Sequence, residues 1–400
     1  MIKKIIQKIF GLPDRRDKPQ GECGKINRRL FIKSFFTAIA GVSLPALFSC
    51  TKGNEDWKAG LLYSWASDYY NDPDDPPPGT GTVAVVRSVN MDDMVGTAID
   101  LAGGIDEINS GDTVVIKPNI VYPGSSNIAC RFCTNPEVLR SVIRIVASRT
   151  AASNITIAEA SAYDYPTVSA AKYWGIYDVC IDEGANFLAW DPYSGGQYVG
   201  FSHPKIKYLS QPVLIPQTLS SFDHFINLPM LKNHRNYGTL NAVFTSCMKN
   251  FVGVLKPSYR TGGENPLTNI HTNDVGKNIA EIGLCVPNII MNIIDATLVV
   301  LTGGPSRTNA DGGMKYADAN LIIASKDRVA CDTVGVAVLR AYARYQGITA
   351  PEANYFDRSV FDYDQIRRGC QIGLGRRDPD FIDVVFNSVD NSDGILAEWV

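Results

Sequence analysis

Six short runs rich in β-branched residues recur along this 400-residue chain, and they restrict its fold more than any other feature. They are Thr82-Val83-Ala84-Val85-Val86-Arg87, Asp112-Thr113-Val114-Val115-Ile116-Lys117, Ile155-Thr156-Ile157-Ala158-Glu159, Phe225-Ile226-Asn227-Leu228, Asn288-Ile289-Ile290-Met291-Asn292-Ile293-Ile294-Asp295 and Asn320-Leu321-Ile322-Ile323-Ala324. Most are continuously apolar instead of alternating, as strands are when both faces are covered. Between them lie stretches at helical spacing. In 136–149, Val138, Leu139, Val142, Ile143 and Val146 fall on one face, and 91–103 and 328–341 also read as helices. The expected fold is α/β: a mainly parallel sheet with helices on both faces, forming one domain over 81–400. An insertion rich in Gly, Pro and Tyr is expected around 186–218.

The polar residues gather at the downstream ends of these runs. Lys117 and Asn119 follow the second, Glu159 ends the third, Lys232 and His234 follow the fourth, and Asp295 ends the fifth. Ligands of open parallel sheets bind beyond the carboxyl ends of strands, so residues far apart in sequence are expected to converge there. A helix-like run over 240–255 carries Lys249 and Asn250 beside the apolar residues Val243, Phe244, Met248, Phe251 and Val252. An ammonium buried on such a face requires an acid or an anionic ligand. Asp327 is expected to cap the helix that follows it, leaving Asp332 near the strand ends.

Several short motifs occur in order: Lys117-Pro118-Asn119, Leu228-Pro229-Met230-Leu231-Lys232-x-His234, Lys249-Asn250-Phe251-x-Gly253, and Asp295-Ala296 followed by Gly303-Gly304-Pro305. Ile322-Ile323-Ala324-Ser325-x-Asp327-x-Val329-Ala330-x-Asp332 completes the series. Over roughly residues 83–340 this ordered set resembles the DUF362 family. The resemblance implies a shared α/β fold and a polar site, and it brings no established reaction. Some members of that family carry ferredoxin-like cysteine clusters, and this chain lacks the multi-cysteine run that such clusters need.

Two kinds of chemistry suit the polar set. His234, His271, Glu159, Asp295 and Asp332 are candidate ligands of a divalent metal, since imidazole and carboxylate suit Zn, Mn, Fe or Ni. Lys117, Lys232, Lys249 and Arg260, with Asn119 and Asn250, would instead hold a phosphate or carboxylate. In a mixed site Lys232, His234 and Lys249 would act on an anionic small molecule. Cys130 and Cys133 precede Thr134-Asn135-Pro136-Glu137, read as a capping box with Pro in the first turn. They would form a loop-closing disulfide, a redox dithiol, or part of a metal or Fe–S site completed by Cys180, Cys247 or Cys331.

The amino-terminal part has a different character. Asn27-Arg28-Arg29-Leu30-Phe31-Ile32-Lys33 resembles the twin-arginine export signal, and Leu47-Phe48-Ser49-Cys50 resembles a lipobox. The segment between them is shorter than the roughly 20 apolar residues of a membrane span. Residues 1–49 are therefore expected to be a leader, with Cys50 lipidated, and the Pro- and Asp-rich residues 50–80 a tether. The twin-arginine machinery and a membrane are then partners, and the protein sits in the periplasm or cell envelope. Beyond residue 49 the chain holds 28 Lys+Arg against 38 Asp+Glu, a net charge of −10. That balance argues against nucleic-acid binding. The expected function is binding of an anionic small molecule with a metal or redox cofactor. The alternative is a non-catalytic lipoprotein that binds a ligand or supports a complex.

Overall fold

The computed structural model describes residues 81–122, 132–161, 165–234, 244–261, 270–271, 274–304, 315–349, 355–356, 358–388, 395 and 398. The leader, the tether, Cys50 and Cys130 lie outside them. In chain order the elements begin with β1 (Gly81–Val86), α1 (Met91–Leu101), β2 (Val114–Pro118), α2 (Pro136–Ala147) and β3 (Ile155–Glu159). Next come α3 (Thr167–Tyr173), α4 (Ile176–Asp182), β4 (Asn186–Ala189), β5 (Tyr198–Phe201), β6 (Val213–Pro216), β7 (His224–Leu228), β8 (Met230–Asn233) and β9 (Phe244–Thr245). The series closes with α5 (Cys247–Asn250), α6 (Ser258–Thr261), α7 (Val275–Ile282), β10 (Ile289–Val300), β11 (Tyr316–Ala317), β12 (Leu321–Ser325), α8 (Arg328–Tyr345), α9 (Asp364–Gln371) and β13 (Ile382–Asn387).

The main path of the sheet runs β13-β1-β12-β10-β7-β2-β3-β4. Along it only β12 is antiparallel to its neighbours; every other pair is parallel. The mainly parallel α/β sheet expected from the apolar runs is thus present. Strand side chains alternate between faces. Val83 and Val85 enter one core with Ile294, Ile323 and the apolar side of α8. Ala84 and Val86 enter the opposite core with Val114, Ile116, Ile155 and Ile157, covered by α1 and α2. Helices therefore cover both faces, which accounts for the continuous apolar character of the strands.

Several local expectations are corrected. β4 belongs to the main sheet, pairing with β3, so the insertion begins after Ala189 and carries the separate β5-β6 hairpin. β10 does not stop at Asp295 but continues to Val300, because β8 and β11 extend the pairing on its far half. The 240–255 segment is not one helix. Its described part comprises β9, an extended Ser246, the single turn α5 and a 3₁₀ turn at Phe251–Val254. The break has an electrostatic cause: the buried Asp332 carboxylate accepts from the amides of Cys247, at 2.6 Å, and Met248, at 3.4 Å, and so fixes where α5 begins. Asp327 caps α8 as expected, accepting from Val329 and Ala330 N–H. At α2 the cap is Asn135 instead of Thr134, with Oδ1 accepting from Glu137 N–H at 3.0 Å. Thr134 is committed elsewhere, accepting from Asn119 N–H and donating to Leu228 O.

Candidate functional site at the carboxyl ends of the central strands

Four polar residues lie in register across four adjacent strands. Lys117 on β2 faces Asn227 on β7, Asn227 faces Asn292 on β10, and Asn292 faces Ser325 on β12. All four are fully buried, so their polar atoms need partners inside the protein. Asn227 Nδ2 donates to Asn292 Oδ1 at 3.0 Å, Asn292 Nδ2 donates to the Ser325 carbonyl, and the Ser325 hydroxyl donates to Thr82 O. Asn250, the last residue of α5, donates to Asn227 Oδ1 at 2.8 Å and to Lys117 O at 3.2 Å. This row fastens α5 across the sheet and thereby sets the position of its neighbour Lys249.

Lys117 and Glu159, expected to bind ligands, instead serve each other. Lys117 Nζ lies 2.6 Å from Glu159 Oε2, and both side chains are buried. Glu159 also accepts from the amides of Ala160, at 2.9 Å, and Ile120, at 3.3 Å. Burial pushes the Glu159 carboxyl up and the Lys117 amine down, and each opposes the shift in the other. The 3₁₀ turn packs directly on this pair. A Cβ at Gly253 would lie 1.8 Å from Glu159 Oε1 and 2.5 Å from Lys117 Nζ, so the motif needs glycine for lack of room.

Asp295 and Asp332 are likewise engaged in the fold. Asp295 accepts from Asn135 N–H at 2.7 Å and from the amide and hydroxyl of Thr297, which ties β10 to the start of α2. Burial raises its carboxyl. Asp332 holds α5 and accepts from Gln365 Nε2 at 2.9 Å, and burial raises it to about 6. The five expected metal ligands therefore do not form one coordination sphere. Among the described residues no three His, Cys, Asp or Glu side chains converge on a point that would hold a metal ion.

The remaining candidates do come together. Lys232, from β8, donates to Asn119 Oδ1 at 2.5 Å and to Phe132 O. Burial lowers its amine to about 8, although the nearby Cys133 and Glu159 favour its charge. Arg260, on α6, donates to three backbone carbonyls, those of Ala160, Ser161 and Leu255. His271 Nδ1 lies 2.9 Å from Arg260 O. A carbonyl can only accept, so Nδ1 carries the proton and Nε2 is the basic nitrogen of the neutral ring. Burial, and then the charge of Lys249, lowers His271 to about 4. The His234 and His271 rings stack at 6.4 Å and 16°.

Lys249 is the exception in this group. It is 7% exposed, and among the described residues its ammonium has no hydrogen-bond or ion-pair partner. Burial lowers its amine to about 7, and the positive charges of Lys232 and Arg260 lower it further. A buried cation whose charged neighbours are also cations is an unbalanced site. Among the described residues the charge at this point is positive.

Cys133 is buried, and its sulfur accepts from Val121 N–H at 3.4 Å. Its expected partner Cys130 is outside the described residues. Of the other cysteines considered, Cys180 shares the core of Cys133, whereas Cys247 and Cys331 belong to the core on the opposite face. Burial raises all three thiols.

The fold is that of an α/β protein that gathers lysines and an arginine beyond the carboxyl ends of its central strands. The family model described as a domain of unknown function (DUF362) matches residues 114–337, and the chain belongs to the DUF362 family. No curated protein matches it. Among solved structures it is similar to the lactate racemase apoprotein from Thermoanaerobacterium thermosaccharolyticum, at 11% identity and a TM-score of 0.36, over 79% of this chain and 85% of that one.

Proposed function

We propose that this DUF362 protein binds a small carboxylate- or phosphate-bearing molecule against Lys249, with Lys232 and Arg260 supplying further positive charge. The observation that carries the reading is Lys249, a side chain only 7% exposed whose ammonium has no counter-charge among the described residues. Asn119 steers Lys232 toward the same end of the sheet. His271, held neutral, adds no charge there. An anion would restore charge balance, and a charge-assisted hydrogen bond to it would contribute about 1.5–3 kcal/mol.

Calorimetric titration of oxalate and inorganic phosphate into the full chain tests this. Lys249→Met is expected to retain the fold and to lose at least about tenfold in affinity. Equal binding by the variant and the wild type would remove Lys249 from the site.

The same proposal places the protein outside the cytoplasm, held at a membrane through Cys50. The support is the Arg28-Arg29 signal, the short apolar stretch after it and the position of Cys50 before a Pro- and Asp-rich tether. No helix among the described residues is long and apolar enough to cross a membrane. Cys50→Ala is expected to move the protein from the membrane fraction to the soluble fraction of cells. Unchanged fractionation would rule out lipidation as the anchor.

A further inference from the structure

Resting on the anion-site reading, we propose that the Lys249 amine condenses with the carbonyl of a small 2-oxo acid, forming an imine beside the bound carboxylate. Three observations converge on it. Lys249 is nine-tenths buried, and among the described residues its nitrogen has no hydrogen-bond or ion-pair partner. Lysines become nucleophilic near neutral pH when they are desolvated or placed beside other cations, and Lys249 meets both conditions. Lys232 and Arg260 act electrostatically on the same nitrogen, so a carboxylate drawn by their charge would bring an adjacent carbonyl toward Lys249. A 2-oxo acid has that arrangement.

The two lysines divide the work through their surroundings. Lys232 is committed to Asn119 Oδ1 and Phe132 O, which favour its charged form. Among the described residues Lys249 has no such acceptor, and it has the larger share of neutral amine near pH 7. In the step itself, the Lys249 nitrogen bonds to the carbonyl carbon and the carbon–oxygen bond breaks. Starting from the ammonium, the oxygen leaves as water with two of the nitrogen's hydrogens, and one hydrogen stays on the iminium. The positive charge is kept beside the carboxylate, and no oxidant or reductant takes part.

The full chain is incubated with glyoxylate or pyruvate and cyanoborohydride, which reduces an iminium to a stable secondary amine, and the adduct is then located by peptide mapping. The expected result is one adduct per chain, at Lys249, suppressed by excess oxalate. Lys249→Arg is expected to form no adduct at that position. Oxalate binding by the wild type without a specific adduct would overturn the covalent step and leave the anion site standing. Failure of the wild type to bind oxalate, phosphate or a 2-oxo acid would overturn both.

Discussion

Glu159→Ala is expected to cost about 3–5 kcal/mol of folding stability, measured by urea or thermal unfolding, because it leaves the Lys117 ammonium buried without its acid. The loss is larger than that of a surface ion pair because neither side chain has water to fall back on. The Ile120 and Ala160 amides also lose their acceptor. The damage should extend to the site: Lys117 and Asn250 would lose the frame that holds α5, and with it Lys249. Lys117→Met with Glu159→Leu is expected to recover much of the stability, because replacing a buried pair by apolar groups of similar volume is often neutral. A loss below about 1 kcal/mol in the single variant would show that the pair does not stabilise the fold.

Glu281→Ala is expected to be of similar size, about 3–5 kcal/mol, for a related reason. Glu281 is fully buried on α7 and accepts from the backbone amides of Lys207, Tyr208 and Leu209. It also pairs with Arg368 of α9 at 2.7 Å. One carboxylate thus fastens the insertion after β4 to two helices, and its removal leaves three amides without their acceptor and Arg368 with the Lys205 carbonyl but no carboxylate. Hydrogen exchange should show residues 205–211 losing protection before the sheet does. Uniform protection along the chain in the variant would contradict this account of the insertion.

The type of sheet and the contacts within it were legible to different degrees. Continuous β-branched runs indicated a parallel sheet, and polar residues after Ile116, Ala158 and Leu231 indicated the strand ends where polar side chains gather. Asp327 was recognisable as a cap because it directly precedes a helical pattern. What side chains do to one another across the sheet was not legible. Lys117 and Glu159 are 42 residues apart, and nothing in spacing shows that they neutralise each other. Asp332 lies 85 residues from the amide of Cys247 that it holds, so the 240–255 pattern read as one helix. Arg260 resembles a free cation in sequence, yet its guanidinium donates to three carbonyls. The Asn227, Asn292 and Ser325 row was missed although it left a signal: a single amide inside each of two apolar runs. In a strand buried on both faces such a residue must find a buried partner, and here the partners are each other.

The most direct test of the central claim is the pH dependence of oxalate binding to wild type and to Lys249→Met. An anion favours protonated Lys249, which in the free protein loses its proton at about 7. Binding above that pH must take up a proton, so affinity is expected to be level below about pH 6.5 and to weaken by up to about tenfold per unit above 7. In Lys249→Met the remaining binding should be weaker and should decline only as Lys232 loses its proton at about 8. The same affinity and the same pH profile in both proteins would contradict an anion site built on Lys249.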